Sequence, residues 1–282
     1  MFKFLRNKIG IIGYGNMGSA IGERLKAKYQ IWVFDKDRNK TANIKNINVA
    51  DNILDLINKV GVVILAVKPQ DFDGVLSEIK SCHHLADKLF ISIAAGIDTS
   101  YIEKTLGNVK VVRVMPNMAI KIGQGISCLS KGKFATKEDF DVTEELFEYM
   151  GKTLRIEEEK MPIATAVSGS GPGFYFDIIE SILAGNKNPE EFKREFIIAL
   201  TKAAEERGFK HEEAVFLASG TGNACQLLLV KTKLPPSELK KQITSKGGTT
   251  EAGLEKLQGS IEHLDEAVEA AKKRAEELSK KE

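Results

Sequence analysis

"KIGIIGYGNMGSAIGERL", residues 8 to 25, is the stretch on which the fold turns. It opens as a short apolar run of β type and turns through Gly13-Tyr14-Gly15-Asn16-Met17-Gly18. It then continues at helical spacing through Met17, Ile21 and Leu25. A G-x-G-x-x-G that follows a strand and opens a helix is the fingerprint of a dinucleotide-binding unit. Each glycine answers a physical need: Gly13 the tight turn, Gly15 the close approach of backbone to a pyrophosphate, Gly18 the packing of helix on strand. The helix start also offers unpaired N–H groups and the positive end of its dipole to phosphates. Gly13, Gly15, Asn16, Met17 and Gly18 are therefore candidate cofactor-binding residues.

Immediately downstream, "QIWVF" (30–34) reads as a second strand, and Asp35 follows it. At this distance from the glycines, a carboxylate accepts a hydrogen bond from the ribose 2′-OH of NAD. The alternative is an Asp that merely opens a turn ahead of Lys36 and Arg38. The functional reading predicts repulsion of the 2′-phosphate of NADP(H), partly offset by Lys36 and Arg38, so NADH is favoured without excluding NADPH. Further apolar runs at 61–67 ("GVVILAV"), 88–95 ("KLFISIAA") and 109–115 ("VKVVRVM") alternate with helical patterns. This alternation predicts an α/β fold, a doubly wound and mostly parallel sheet over residues 1–160. Ligands bind at the carboxyl ends of such strands. Val67 to Gln70 (with Val67, Lys68 and Pro69), Ala94 to Ile97 (with Ala94, Ala95 and Gly96) and Met115 to Asn117 are accordingly candidate cofactor or substrate loops.

After "GKTLRIEEEK" (151–160) the strand pattern stops, and residues 161–282 show only helical periodicity broken by turns. One break is "SGSGPG" (168–173). It lacks the Lys and Ser/Thr that a triphosphate-binding loop requires, since Phe174-Tyr175 follow. A final helix is expected at about 260–279, with Ile261, Leu264, Val268, Ala271, Ala275 and Leu278 along one seam. That seam must pack on its own domain or on a second subunit. An all-helical module with several apolar faces predicts a homo-oligomer.

Composition bounds the rest. The 282 residues are 43% hydrophobic and 28% charged, enough apolar material for a globular core. The 41 basic and 39 acidic residues leave a net charge of +2 and are interleaved, which argues against a nucleic-acid partner. Cys82, Cys128 and Cys225 have no paired spacing and read as reduced thiols. His83 and His84 have no third ligand at a metal-like spacing. The apolar run Ile9 to Ile12 is too short for a signal core or a membrane span, so the expectation is a cytoplasmic chain with no membrane segment.

Taken in order, "IGIIGYGNMGSAI", "AVKP", "ISIAAGI", "VRVMPN", "SGSGP" and "LKKQITSKGGTTEAGLEKL" span nearly the whole chain. In these motifs the chain resembles the pyrroline-5-carboxylate reductase family. The resemblance implies a Rossmann-type domain (1–160) and an all-helical substrate-binding and dimerisation domain (161–282) that interlocks two subunits. It also implies reduction of 1-pyrroline-5-carboxylate to L-proline by NADH or NADPH, the last step of proline biosynthesis, with no metal. Carried onto this sequence, it makes Ser245, Gly247, Gly248 and Thr249 the holders of the substrate carboxylate, with Asn117 near substrate and cofactor. Thr250, beside the ring nitrogen, becomes the candidate catalytic residue. A glycine-rich helix start suits that task, because a small anion needs donors without bulk; the dipole adds about 0.3–2 kcal/mol.

The chain departs from the family pattern at four places. Lys246 stands where the loop usually has Pro, and Met118-Ala119 replace Thr-Pro after "MPN". The stretch Gly185 to Leu200 reads as an added helix, and Asp35 differs from the NADP-type loop. Three alternatives remain. A β-hydroxyacid dehydrogenase would need Lys and Asn where this chain has Tyr175 and Ile179. A reductase of a six-membered cyclic imine differs only in pocket volume. A dinucleotide sensor would have no use for "SKGGTT".

Overall fold

The computed structural model describes residues 7–185 and 188–279. It opens with β1 (Lys8–Ile12), α1 (Asn16–Leu25) and β2 (Gln30–Phe34). Then come β3 (Asn48–Val49), α2 (Ile53–Lys59), β4 (Val62–Leu65), α3 (Phe72–Lys80), β5 (Leu89–Ser92), α4 (Thr99–Leu106) and β6 (Lys110–Pro116). β7 (Gly125–Lys131), α5 (Lys137–Glu148) and β8 (Gly151–Arg155) complete an eight-stranded sheet of order β3-β2-β1-β4-β5-β6-β7-β8. The pairs β1–β2, β1–β4, β2–β3, β4–β5 and β5–β6 are all parallel. β4 and β5 are buried at every position, as expected where helices cover both faces. One core joins Leu56, Phe72, Leu76, Phe90 and Ile102 from these strands and helices. The strand order reverses between β1 and β4, which makes this the topological switch point where doubly wound sheets bind ligands.

The chain divides into two compact units. The first runs up to Val114 and includes Leu129–Met150; the second holds Met115–Cys128 and the chain from Gly151 on. In the second unit, α6 (Met161–Ala164) continues through a π-helical segment (Thr165–Ser170) into α7 (Gly171–Ala184). The remaining helices are α8 (Pro189–Glu205), α9 (His211–Thr232), α10 (Pro236–Ile243), α11 (Thr249–Leu257) and α12 (Leu264–Ser279). "SGSGPG" is thus no break between helices. It is the passage from a wide helical turn into an α-helix, with Pro172 in the first turn of that α-helix.

Three strands escape a reading by periodicity. β3 is two residues long, β8 is only partly buried, and β7 buries Ser127, Cys128 and Ser130, which break its apolar run. The last helix begins at Leu264, after a short 3-10 turn over Ile261–His263. Its Leu264, Val268, Ala271 and Ala275 are buried within its own unit, against α11 and the π-helical segment. Among the described residues no helix is long and apolar enough to cross a membrane.

Candidate active site: two helix starts capped by glycine

Gly13 and Gly18 are fixed by packing. Gly13 sits at φ +94°, and a Cβ on Gly18 would overlap the Gly13 carbonyl oxygen. Gly15 is different: a Cβ there would meet nothing within 4 Å. Its bareness serves no contact of the protein's own and fits a cradle for a phosphate. Gly15 also caps α1 with no side-chain cap and no acid in the first turn. By contrast, Asn52 caps α2, Asp98 caps α4 and Thr136 caps α5 with side-chain oxygens.

A cleft of about 340 Å³ at the switch point is lined by Ile12, Gly13, Gly15, Asp35, Lys36, Val67 and Lys68, all expected or adjacent to expected residues. Gln70, the end of the expected loop from Val67, lines it too, as do Lys40 and Asp71, which reading the sequence did not find. Ala94, Ala95 and Gly96 follow β5 but do not line this cleft.

Asp35 is 5% exposed. Its Oδ2 accepts from the Tyr14 N–H at 2.7 Å and its Oδ1 from the Asp37 N–H at 2.9 Å. Lys40 Nζ lies 3.2 Å from both oxygens. Burial pushes the carboxyl's pKa up, but the two N–H donors and the Lys40 ammonium outweigh it and hold the pKa below the ordinary value. Lys40 is the cation on Asp35. Lys36 pairs with Asp71 at 2.6 Å, and Arg38 turns to the backbone oxygens of Ala50 and Asp51. The only signal for Lys40 in the sequence was a basic residue five positions beyond Asp35, which a flexible turn does not place.

In the second unit, α11 starts at Thr249 with Gly248 as N-cap and no side-chain cap, as α1 does, but with Glu251 in its first turn. By helical geometry the N–H groups of Thr249, Thr250 and Glu251 have no acceptor within the helix. The Gly248 N–H donates to the Ser245 carbonyl at 2.9 Å, and the Gly247 N–H donates to the Glu251 carboxylate at 2.6 Å. The Ser170 hydroxyl donates to Thr249 Oγ1 at 3.0 Å in a buried bond, and the Thr250 methyl lies where Gly173 leaves room for it. The π-helical segment and the start of α7 are therefore the bed on which this helix start rests.

Asn117 is 1% exposed, and its Oδ1 accepts from the N–H groups of Ala119 and Ile126, each at 3.2 Å. Its buried Nδ2 has no partner among the described residues. Tyr175 stands where a hydroxyacid dehydrogenase would place its lysine. It lies in an aromatic cluster with Phe192 and Phe196, ring centroids 5.1 Å away in both cases, and burial raises its pKa far beyond the useful range.

Residues 8–96 match the family model described as NADP oxidoreductase, coenzyme F420-dependent, and residues 192–278 match that for pyrroline-5-carboxylate reductase dimerisation. The stretch Gly185 to Leu200, expected as an addition, is corrected by this match from Phe192 on. Positions 186 and 187 lie outside the described residues. From Phe192 on, the stretch belongs to the matched model, and Phe192, Phe196 and Leu200 anchor α8 in the core. A pyrroline-5-carboxylate reductase of Methanosarcina acetivorans is 34% identical over 97% of this chain and 98% of its own length. Among solved structures, a pyrroline-5-carboxylate reductase of Coxiella burnetii is 30% identical with a TM-score of 0.64, covering 98% of this chain and 99% of that one. The Plasmodium falciparum pyrroline carboxylate reductase, solved with NADP bound, is 27% identical with a TM-score of 0.61, covering 96% and 98%. With a relative this similar along almost its entire length, the chain belongs to the pyrroline-5-carboxylate reductase family.

Proposed function

We propose that this chain reduces 1-pyrroline-5-carboxylate to L-proline with NADH or NADPH, closing proline biosynthesis. The observation that carries the reading is the pair of helix starts capped by glycine alone, one fronting the switch-point cleft and one following the Ser245–Gly248 turn. Each is an anion site without bulk, the first suited to a pyrophosphate and the second to a substrate carboxylate. In the second, the Gly247 and Gly248 N–H groups are engaged within the turn, and the donors left for an anion are those of the first helical residues from Thr249 on.

When bound, NAD(P)H supplies the hydride. The chain's own residues supply position. Gly13, Gly15, Asn16, Met17 and Gly18 hold the phosphates, and Asp35 with Lys36 faces the adenosine ribose. Val67, Lys68 and Pro69, Ala94, Ala95 and Gly96, and Asn117 border the remainder of the cofactor. Ser245, Gly247, Gly248 and Thr249 take the carboxylate, Asn117 adjoins the substrate, and the Thr250 hydroxyl orients the ring nitrogen. A cyclic imine is readily protonated in water, so the reaction needs orientation more than a strong acid, and no metal. Residues 1–160 serve the cofactor; residues 161–282 serve the substrate and a homodimer, in the cytoplasm. Asp35 sets a preference for NADH, which Lys40 softens by neutralising part of its charge, so NADPH is also used.

The test is the initial rate of oxidation of each cofactor with 1-pyrroline-5-carboxylate at equal concentrations. Turnover, faster with NADH, is expected. A preference for NADPH would discard the role of Asp35 and keep the reaction. No turnover with either would overturn the reaction.

A further inference from the structure

The turn that precedes α11 is gripped at both polar groups of a single residue. The Gly247 N–H donates to Glu251 Oε2 at 2.6 Å, and the Gly247 carbonyl accepts from Arg274 Nε at 2.9 Å. Glu251 lies in the first turn of α11 and Arg274 in α12, where its Nη1 also binds Glu277 at 3.0 Å. The Gly248 N–H closes the turn on the Ser245 carbonyl at 2.9 Å. Gly247, in third position, sits at φ +69°, while Lys246, in second position, is not among the residues with positive φ. This is the pattern of a type II turn, in which glycine is favoured third and proline second, because the proline ring presets φ.

Lys246 has no such ring, and glycine is the residue with the widest freedom of φ and ψ. The N–H of Gly247 reports its φ and the carbonyl its ψ. Holding both therefore fixes the two soft dihedrals at the one position where the turn would otherwise give way. The peptide held by Arg274 is also the one that carries the Gly248 N–H, so its orientation sets where the following donors point.

We propose that Arg274 and Glu251 are positioning residues for the substrate-carboxylate loop. From either side of Gly247 they impose with hydrogen bonds the rigidity that a proline at 246 would impose covalently. The inference rests on the reading of residues 245–250 as the carboxylate site. A purely structural role has a different signature. An acid in the first turn that bonds back toward the helix start is a familiar cap, and its loss weakens the helix without selectively changing substrate KM.

The experiment uses the full chain with Arg274→Met and Glu251→Gln, each alone and combined with Lys246→Pro. It reads KM for 1-pyrroline-5-carboxylate, KM for the cofactor, kcat, and amide hydrogen exchange at Gly247 and Gly248. Arg274→Met is expected to speed that exchange and to raise KM for the imine by about tenfold, the effect of one charge-assisted hydrogen bond, with cofactor KM unchanged. Lys246→Pro in the same chain should bring both back toward the parent values. Glu251→Gln, which keeps the side chain's length, should act in the same direction and serves if the Met variant does not fold. Unchanged exchange would overturn the clamp. Faster exchange with unchanged imine KM would leave only a structural cap, and a raised KM that proline fails to rescue would assign Arg274 to charge instead of turn geometry. Failure of the underlying reading shows separately, as absence of turnover in the unsubstituted chain, and it would remove the substrate from this inference while exchange still reported the clamp.

Discussion

Asp35 carries two roles that its position after β2 does not distinguish. Its carboxylate fastens the glycine-rich turn through the Tyr14 N–H and lines the cleft paired with Lys40. Asp35→Ser should raise the NADPH to NADH ratio of kcat/KM by about tenfold, equivalent to about 1.4 kcal/mol, because the acid departs and Lys40 is freed for a 2′-phosphate. An unmoved ratio in steady-state assays would reduce Asp35 to a turn residue. The same substitution tests its structural role through pH. The folded carboxyl's pKa lies below the ordinary value, so in acid the unfolded chain binds the proton more readily, and stability there rises with pH. The contribution of Asp35 is thus complete above the ordinary aspartate pKa of about 3.9 and is lost as pH falls through the lower folded value. Urea midpoints of parent and Asp35→Ser should differ at neutral pH and converge on acidification.

At the level of the element, two glycines in one turn serve different masters. A Cβ on Gly18 would strike the carbonyl of Gly13, backbone against backbone, whereas a Cβ on Gly15 enters open space. Gly18→Ala should cost about 1–3 kcal/mol of stability, read as a lowered Tm. Gly15→Ala should leave Tm nearly unchanged and weaken cofactor binding, read by titration calorimetry. Equal losses of stability would mean that both glycines are there for packing. The G-x-G-x-x-G spacing identified this element from sequence because turn, close approach and helix packing are local demands on the backbone. The π-helical segment Thr165–Ser170 was not legible in the same way. Its small polar residues look like a loop, and only their burial beneath α11, with Ser170 bonded to Thr249, makes the wide turn stable.

For the whole molecule the open matter is which apolar faces await a partner. The seam of the last helix, which periodicity left open to either use, is covered by its own unit. Exposure concentrates instead on α8 and α9, where Ile198 is 69% and Val230 67% exposed, with Val215 and Leu227 also uncovered. Both helices lie largely within the matched dimerisation model. Apolar side chains exposed at this density mark an association surface, and the homodimer proposed above would form there. Val230→Glu together with Ile198→Glu should halve the mass in analytical ultracentrifugation while leaving the helical circular dichroism intact. An unchanged mass would move the contact elsewhere.

The sequence by itself determined the parallel, doubly wound sheet, the glycine turn at its first crossover and the helical second half. Each of these is written in neighbouring residues, as a period of two or 3.6, or as a glycine where the backbone must bend or be approached. Tertiary structure alone decided which cation meets Asp35, which seam is buried, and how Arg274 reaches Gly247 across 27 residues of chain. Those outcomes depend on the packing of elements remote in sequence, where no local period or turn preference specifies which side chains will meet.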